Sequence, residues 1–270
     1  MKITCFADEI SPILADQLRV MEDCGIRWME IRSVWDIGVL HMSDHQLRDI
    51  HGLAASRGIG ISCISTPIGK EPLDSSMADV LSRVKRAAEA AHICGCDFIR
   101  IFSFHRAGWE EAEAVKRSAE RLAAMAELAE KENVVLVLEN APPTVGYTGK
   151  NCAALLDTVS SPNLRIAFDG ASAVEAGERA FDESFPYVKD SISYVHIKDH
   201  ARGLKTRVVA GQGDAQVADF LNALRDRDLF LSLEPHLSYA GPCGGFSGEE
   251  PFRRAHRALT DMLDKLNISY

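Results

Sequence analysis

What most constrains this chain is a unit that recurs eight times: a short strand-forming run followed by a helical stretch. The runs are 2–6, 27–32, 59–65, 97–102, 134–139, 164–169, 191–198 and 229–234, rich in Val, Ile and aromatic residues. Between them the chain offers helix formers and caps. Ser11-Pro12 predicts a helix start with Gly25 beyond its end, Ser43 caps the next, and an alanine- and glutamate-rich segment covers 109–132. Further helices are expected over 76–93, 151–159, 181–189, from Asp214 to about Arg227, and over 249–266. Units of roughly 24 to 38 residues are the rhythm of a (β/α)8 TIM barrel, an α/β fold in a single domain over residues 1–270. A doubly wound sheet is disfavoured, because the glycine pair Gly211 and Gly213 does not follow a strong strand.

A barrel of this kind builds its site at the C-terminal ends of its strands. Strands five to eight end on Glu139, Asp169, His196 and Glu234. In SYVHIKDHAR, alternation puts Val195 and Ile197 on one face and His196 and Lys198 on the other. Three converging carboxylates repel one another unless a cation sits among them. One carboxylate alone reads as well as a strand-end cap or an arginine partner; four ligand-type residues at matching positions favour a metal. Three hard oxygen donors and one imidazole suit Mn²⁺ foremost, accept Mg²⁺ or Co²⁺, and tolerate Zn²⁺.

Composition narrows the class. The net charge of -9 argues against a general nucleic-acid binder, although Arg202, Lys205 and Arg207 form a local basic run. Seven scattered cysteines without a CxxC pair fit reduced thiols, not a disulfide framework. Asp8 and Glu9 interrupt the start where a signal peptide needs apolar residues, and no run reaches the ~18 apolar residues of a membrane span. A cytoplasmic enzyme that engages no membrane is expected.

The motifs ADEIS (7–11), TPIGK (66–70), LEN (138–140), FDGAS (168–172), VHIKD (195–199), GQGD (211–214), SLEPH (232–236) and GGFSG (244–248) together resemble the xylose isomerase-like TIM barrel superfamily. The resemblance runs over nearly the whole chain. It implies that Glu139, Asp169, His196 and Glu234 hold one divalent metal, that Glu139 and Glu234 are the acid/base pair, and that Arg202, six residues after the histidine, holds substrate. It also implies a small sugar as partner and allows a homo-oligomer. The chain departs from the pattern at Ser172, where many relatives carry His or Asn.

The reaction expected is proton abstraction next to a carbonyl, through an enediolate, in an isomerase or epimerase. A lyase acting on an inosose or keto-sugar shares the same first step. An endonuclease IV-like phosphodiesterase fits worse, for want of histidines and a basic face, and a barrel that binds sugar without turnover is a fourth reading. Lys70, His236, Ser172, Lys198 and His105 are further candidates for substrate contact, while Lys198 pairs equally well with a carboxylate. Glu30 and Arg100 point inward by parity as structural partners. Trp109 and Phe246 are candidate walls, and residues 241–248 a candidate closing loop.

Overall fold

The computed structural model describes residues 1–106, 108–241 and 244–270. Eight parallel strands close into a barrel: β1 (Lys2–Phe6), β2 (Trp28–Ile31), β3 (Gly60–Ser65), β4 (Phe98–Ile101), β5 (Val135–Glu139), β6 (Leu164–Asp169), β7 (Ile192–Ile197) and β8 (Phe230–Leu233). The ring order β1-β8-β7-β6-β5-β4-β3-β2 follows the chain, as right-handed βα crossovers dictate. Helices α1 (Leu14–Asp23), α2 (Asp44–Ala55), α3 (Met77–Cys94), α4 (Glu111–Lys131) and α5 (Gly149–Val159) pack outside the first five strands. After β6 come the short α6 (Gly170–Glu175) and α7 (Phe185–Val188), then α8 (Val217–Ala223) and α9 (Glu249–Lys265). Among the described residues, no helix is long and apolar enough to cross a membrane.

Two layers of packing hold this together. Outward-facing Ile31, Ile64, Ile99, Leu136, Ile166 and Leu231 meet helix residues such as Leu18, Ile50, Val84 and Leu122 in one buried core. Each such side chain contributes about 1.5–3 kcal/mol of burial. Inside, the N-terminal end is plugged by Tyr194, Phe98, Phe230 and Trp28, in edge-on or tilted ring contacts with centroids 5.2 to 6.4 Å apart. Above that plug a polar chain runs from the Tyr194 hydroxyl through Ser62 Oγ to Thr4 Oγ1. The barrel interior is therefore filled at its N-terminal end, which leaves the C-terminal ends of the strands for a cavity.

The caps of α2, α3 and α5 are those the sequence chemistry calls for. Ser43 forms a reciprocal box with Gln46, while the Ser76 and Thr148 hydroxyls accept from Asp79 N and Asn151 N. Elsewhere the expectation is corrected. The first helix begins at Leu14, because Ser11 Oγ accepts from Ile13 N and Ser11 O from the Gln17 amide, which fixes residues 11–13 as a turn. Asp214 caps nothing: its carboxylate accepts from Arg202 N, and α8 starts at Val217 and ends at Ala223 rather than Arg227. The stretch 181–189 is a π-turn (Ala180–Ser184), α7 and a 3-10 turn, not one helix. Two small hairpins were not expected, Ser33–Val34 with Ile37–Gly38 and Tyr239–Gly241 with Gly244–Phe246.

Candidate metal centre and cavity

Strand register delivers the four ligand-type residues together. Asp169 on β6 lies level with His196 on β7, and Glu139 and Glu234 close the ring from β5 and just beyond β8. One ligand atom from each of Glu139, Asp169, His196 and Glu234 falls within 4.8 Å of all the others, and all four residues are buried. His196 Nδ1 lies 3.4 Å from Glu139 Oε2 and 3.5 Å from Glu234 Oε2. Its Nε2 faces Glu30 Oε1 at 3.6 Å on the other side. Glu30 is fully buried beneath the cluster and accepts from the hydroxyls of Ser65 and Ser232.

Lys198 sits in the middle of the acids. Its Nζ is 2.8 Å from both Asp169 Oδ2 and Glu234 Oε2, and 3.4 Å from Glu139 Oε1. Electrostatics follow from that arrangement. Burial works to raise the Glu139 carboxyl, yet Lys198, His196 and Arg100 outweigh it and hold the group well below the usual carboxylate range. Glu234 is lowered for the same kind of reason, with burial opposed chiefly by Lys198 and His236. His196 is pushed up to about 10, where burial is overcome by Glu139 and Glu30.

The residues fit a divalent cation. Both ring nitrogens of His196 are buried without a hydrogen-bond partner in normal geometry, a costly state for an imidazole that a metal on one nitrogen and Glu30 on the other would relieve. The donor set of three carboxylates and one imidazole matches hard or borderline ions.

Supporting side chains fix the cluster. Asp169 caps α6: its Oδ1 accepts from Ser172 N at 3.0 Å and its Oδ2 from Ser172 Oγ at 2.9 Å. Asn140 clamps the same strand end, donating to Asp169 O and accepting from Asp169 N, both at 2.8 Å. Arg32 reaches across from β2 to Asp8 at 2.7 Å, Glu234 at 3.2 Å and the Gly245 carbonyl at 2.8 Å. Glu9, in the turn after β1, gathers the far end of the chain. Its carboxylate accepts from the His236 ring and backbone and from Ser247 Oγ, and its carbonyl accepts from Ser247 N and Gly248 N. Asn140, Arg32 and Glu9 were missed at the sequence level. The signal available for the first two was a polar residue immediately past a strand end; Glu9 had none, because its partners are more than 200 residues away.

A cavity of about 790 Å³ stands above the cluster. Lys70, Ser172, Lys198 and His236 line it, as do Arg100 and Phe246. Lys70 Nζ lies 4.4 Å from the Phe102 ring centroid, and burial with the nearby Arg100 charge brings its amine down to about 8. The His236 Nε2 stands 3.4 Å from Glu234 Oε1. Two candidates are not brought here. Arg202 is exposed and gives its guanidinium to the Glu178 carbonyl at 3.0 Å, whereas Arg207, bound to Glu175 at 2.6 Å, reaches the cavity wall instead. His105 does not line the cavity either; its backbone pairs with Glu71 and Leu73. Trp109 packs against the core with Arg117 over its ring at 3.9 Å. In the expected closing loop, residues 242 and 243 lie outside the described residues, and Cys243 with them. The six other cysteines are free thiols.

A closed parallel barrel with a carboxylate and histidine cluster at the strand ends defines a class of metal-site (β/α)8 proteins. The model of one such family, the xylose isomerase-like TIM barrel, matches residues 18–262, and this chain belongs to that family. No curated protein matches the sequence. Among solved structures, the IOLI protein with a bound zinc atom superposes with a TM-score of 0.79 at 20% identity, over 98% of this chain and 99% of that one. The probable 3-DHS dehydratase AsbF from Bacillus anthracis gives 0.75 at 20%, over 96% and 99%. D-allulose 3-epimerase from Methylomonas sp., solved with D-allulose, gives 0.75 at 17%, over 98% and 96%. Likeness at these identities establishes the shared fold.

Proposed function

We propose that this protein is a divalent-metal-dependent isomerase or epimerase of a sugar or keto-sugar that works by removing a proton next to a carbonyl. The observation that carries the reading is the pairing of Glu139 and Glu234. Both carboxylates meet at His196 Nδ1, both lie beneath the same cavity, and both are held in the ionised state that a base requires. Glu139, Asp169, His196 and Glu234 would hold the ion, with Mn²⁺ the best match to three hard oxygens and one imidazole. Such an ion supplies polarisation of the substrate carbonyl and its neighbouring hydroxyl.

The chain's own residues do the rest. Glu139 takes the proton from the carbon beside the carbonyl, leaving an enediolate. Glu234 then delivers a proton, to the opposite face of the same carbon in epimerisation, or to the adjacent carbon in isomerisation while the neighbouring hydroxyl passes its proton to the former carbonyl oxygen. His236, at 3.4 Å from Glu234, is placed to keep Glu234 supplied with that proton. Lys198 balances the acids, and Lys70 reaches the substrate from the wall. The same imidazole favours a second reading, a lyase, since a proton donor on the cavity wall is what an expelled hydroxyl needs. We place the enzyme in the cytoplasm, where its free thiols stay reduced.

The test is metal analysis of the purified protein, then NMR in D₂O with added Mn²⁺ and a panel of ketoses and inososes. Deuterium entering next to the carbonyl supports the reading, and loss of the base in Glu139→Gln is expected to slow exchange by about 10²- to 10⁴-fold. Glu139→Gln that binds metal and still turns over would refute the assignment.

A further inference from the structure

Most cavity cations have a carboxylate to answer them. Arg32 binds Asp8, Arg207 binds Glu175, Lys198 binds Asp169 and Glu234, and Arg100 lies 3.5 Å from Glu139. Lys70 has none within 4.0 Å among the described residues, and it lies over the Phe102 ring, which Arg100 also approaches at 4.4 Å. The two positive charges are therefore within about 9 Å of one another, the most that two 4.4 Å approaches to one ring allow.

Lys70 does not stand there as a freely solvated side chain. Its loop is pressed onto the end of β4, where Phe102 N donates to Ile68 O at 2.8 Å and Phe104 N to Gly69 O at 2.7 Å. Gly69 has φ +88°, and a Cβ at that position would lie 2.0 Å from Phe102 O. A half-buried ammonium beside a guanidinium, with no counter-charge of its own, is unfavourable unless something anionic comes to it. The lowering of the Lys70 amine to about 8 reports the same conflict, burial first and Arg100 next, and still leaves it charged at neutral pH.

We propose, building on the enolising-centre reading, that the substrate carries a carboxylate held by Lys70 and Arg100 on the Phe102 side of the cavity, so that it is a keto-sugar acid. The loop chemistry selects carboxylate over phosphate. Ile68 N is spent on Thr66 Oγ1, Gly69 N on Glu71 Oε2 and Lys70 N on Pro67 O, so no cradle of free backbone N–H groups remains for a phosphate dianion. One ammonium and one planar guanidinium suit a singly charged carboxylate.

The test uses D-fructuronate, D-fructose and D-fructose 6-phosphate, which differ only at C6, titrated calorimetrically into the Mn²⁺-loaded protein. The expected result is fructuronate binding at least about tenfold tighter than fructose, roughly one charge-assisted contact's worth. Lys70→Met should erase that preference by weakening fructuronate at least about tenfold more than fructose, and Lys70→Arg should keep it. No preference over fructose, silence of all three included, or equal weakening of both sugars in Lys70→Met overturns the proposal. Tighter binding of the phosphate overturns the carboxylate assignment. Deuterium exchange on the same samples separates the two readings: fructuronate preference without exchange refutes enolisation alone, and exchange into fructose without preference refutes the anion site alone.

Discussion

The carboxylate of Glu30 stands directly beneath His196, its Oε1 3.6 Å from Nε2, on the opposite side of the ring from Glu139 and Glu234. A buried acid in that place fixes which nitrogen carries the proton. With Nε2–H turned to Glu30, the Nδ1 lone pair faces the cluster. The parity of β2 showed that Glu30 points inward, and the structure shows what it points at.

Glu30→Gln keeps the shape and removes the charge. Burial opposes the Glu30 charge, but His196, Ser232 and Ser65 hold its carboxyl below the usual range, so the substitution removes a real anion. Metal affinity is expected to fall about 10- to 100-fold in a competition titration with a chelating dye. Unchanged affinity would show that His196 needs no orienting partner.

Asp199, next after Lys198, makes a second prediction. It is 1% exposed, and its Oδ1 accepts from His200 N and Ala215 N while its Oδ2 accepts from Gly211 N and Gly213 N. The GQGD motif is thus a latch on a buried carboxylate, and Gly213 is required because a Cβ there would lie 2.3 Å from Asp199 Oδ1. Asp199→Ala orphans four N–H donors and is expected to cost about 2–4 kcal/mol in urea unfolding, with Asp199→Asn intermediate. A loss within experimental scatter would mean that the loop rehydrates freely.

Lys70 sets a pH dependence. Arg100 and Lys198 push its amine down, Glu139 and Glu234 pull it up, and burial leads the balance to about 8. The amine is charged below that value and neutral above it, so affinity for fructuronate should hold to pH 7.5 and then fall by up to about tenfold per unit. Lys70→Arg, charged throughout, should be flat to pH 9.5 in calorimetry with Mg²⁺ present. A parallel fall in Lys70→Arg would assign the profile to another group.

How much of this was legible depended on whether a position followed from periodicity. Glu139, Asp169, His196 and Glu234 are at strand ends, where a period of two and a barrel's inward face leave little choice, and the structure brings them within 4.8 Å. Arg202 lies on a loop whose path no period dictates, and the loop spends it on Glu178 and sends Arg207 inward. Ser11 and Asp214 have the chemistry of helix caps, but each accepts from a backbone N–H outside a helix, Ile13 N and Arg202 N. The small hairpins pair only two or three residues per strand, too few to print alternation. The Glu9–His236 contact joins opposite ends of the chain, and no local rule reports it.

That contact also says when the cavity comes into being. The turn after β1 is finished early, yet the donors to Glu9 are His236, Ser247 and Gly248, all beyond β8. A nascent or clipped polypeptide lacking them would leave the buried Glu9 carboxylate without these donors, facing Arg32 at 3.7 Å, and one wall missing. Occupancy by a small molecule is therefore a readout of ring closure itself: a half-made barrel has nothing to hold, and whatever fills the mouth fastens the seam.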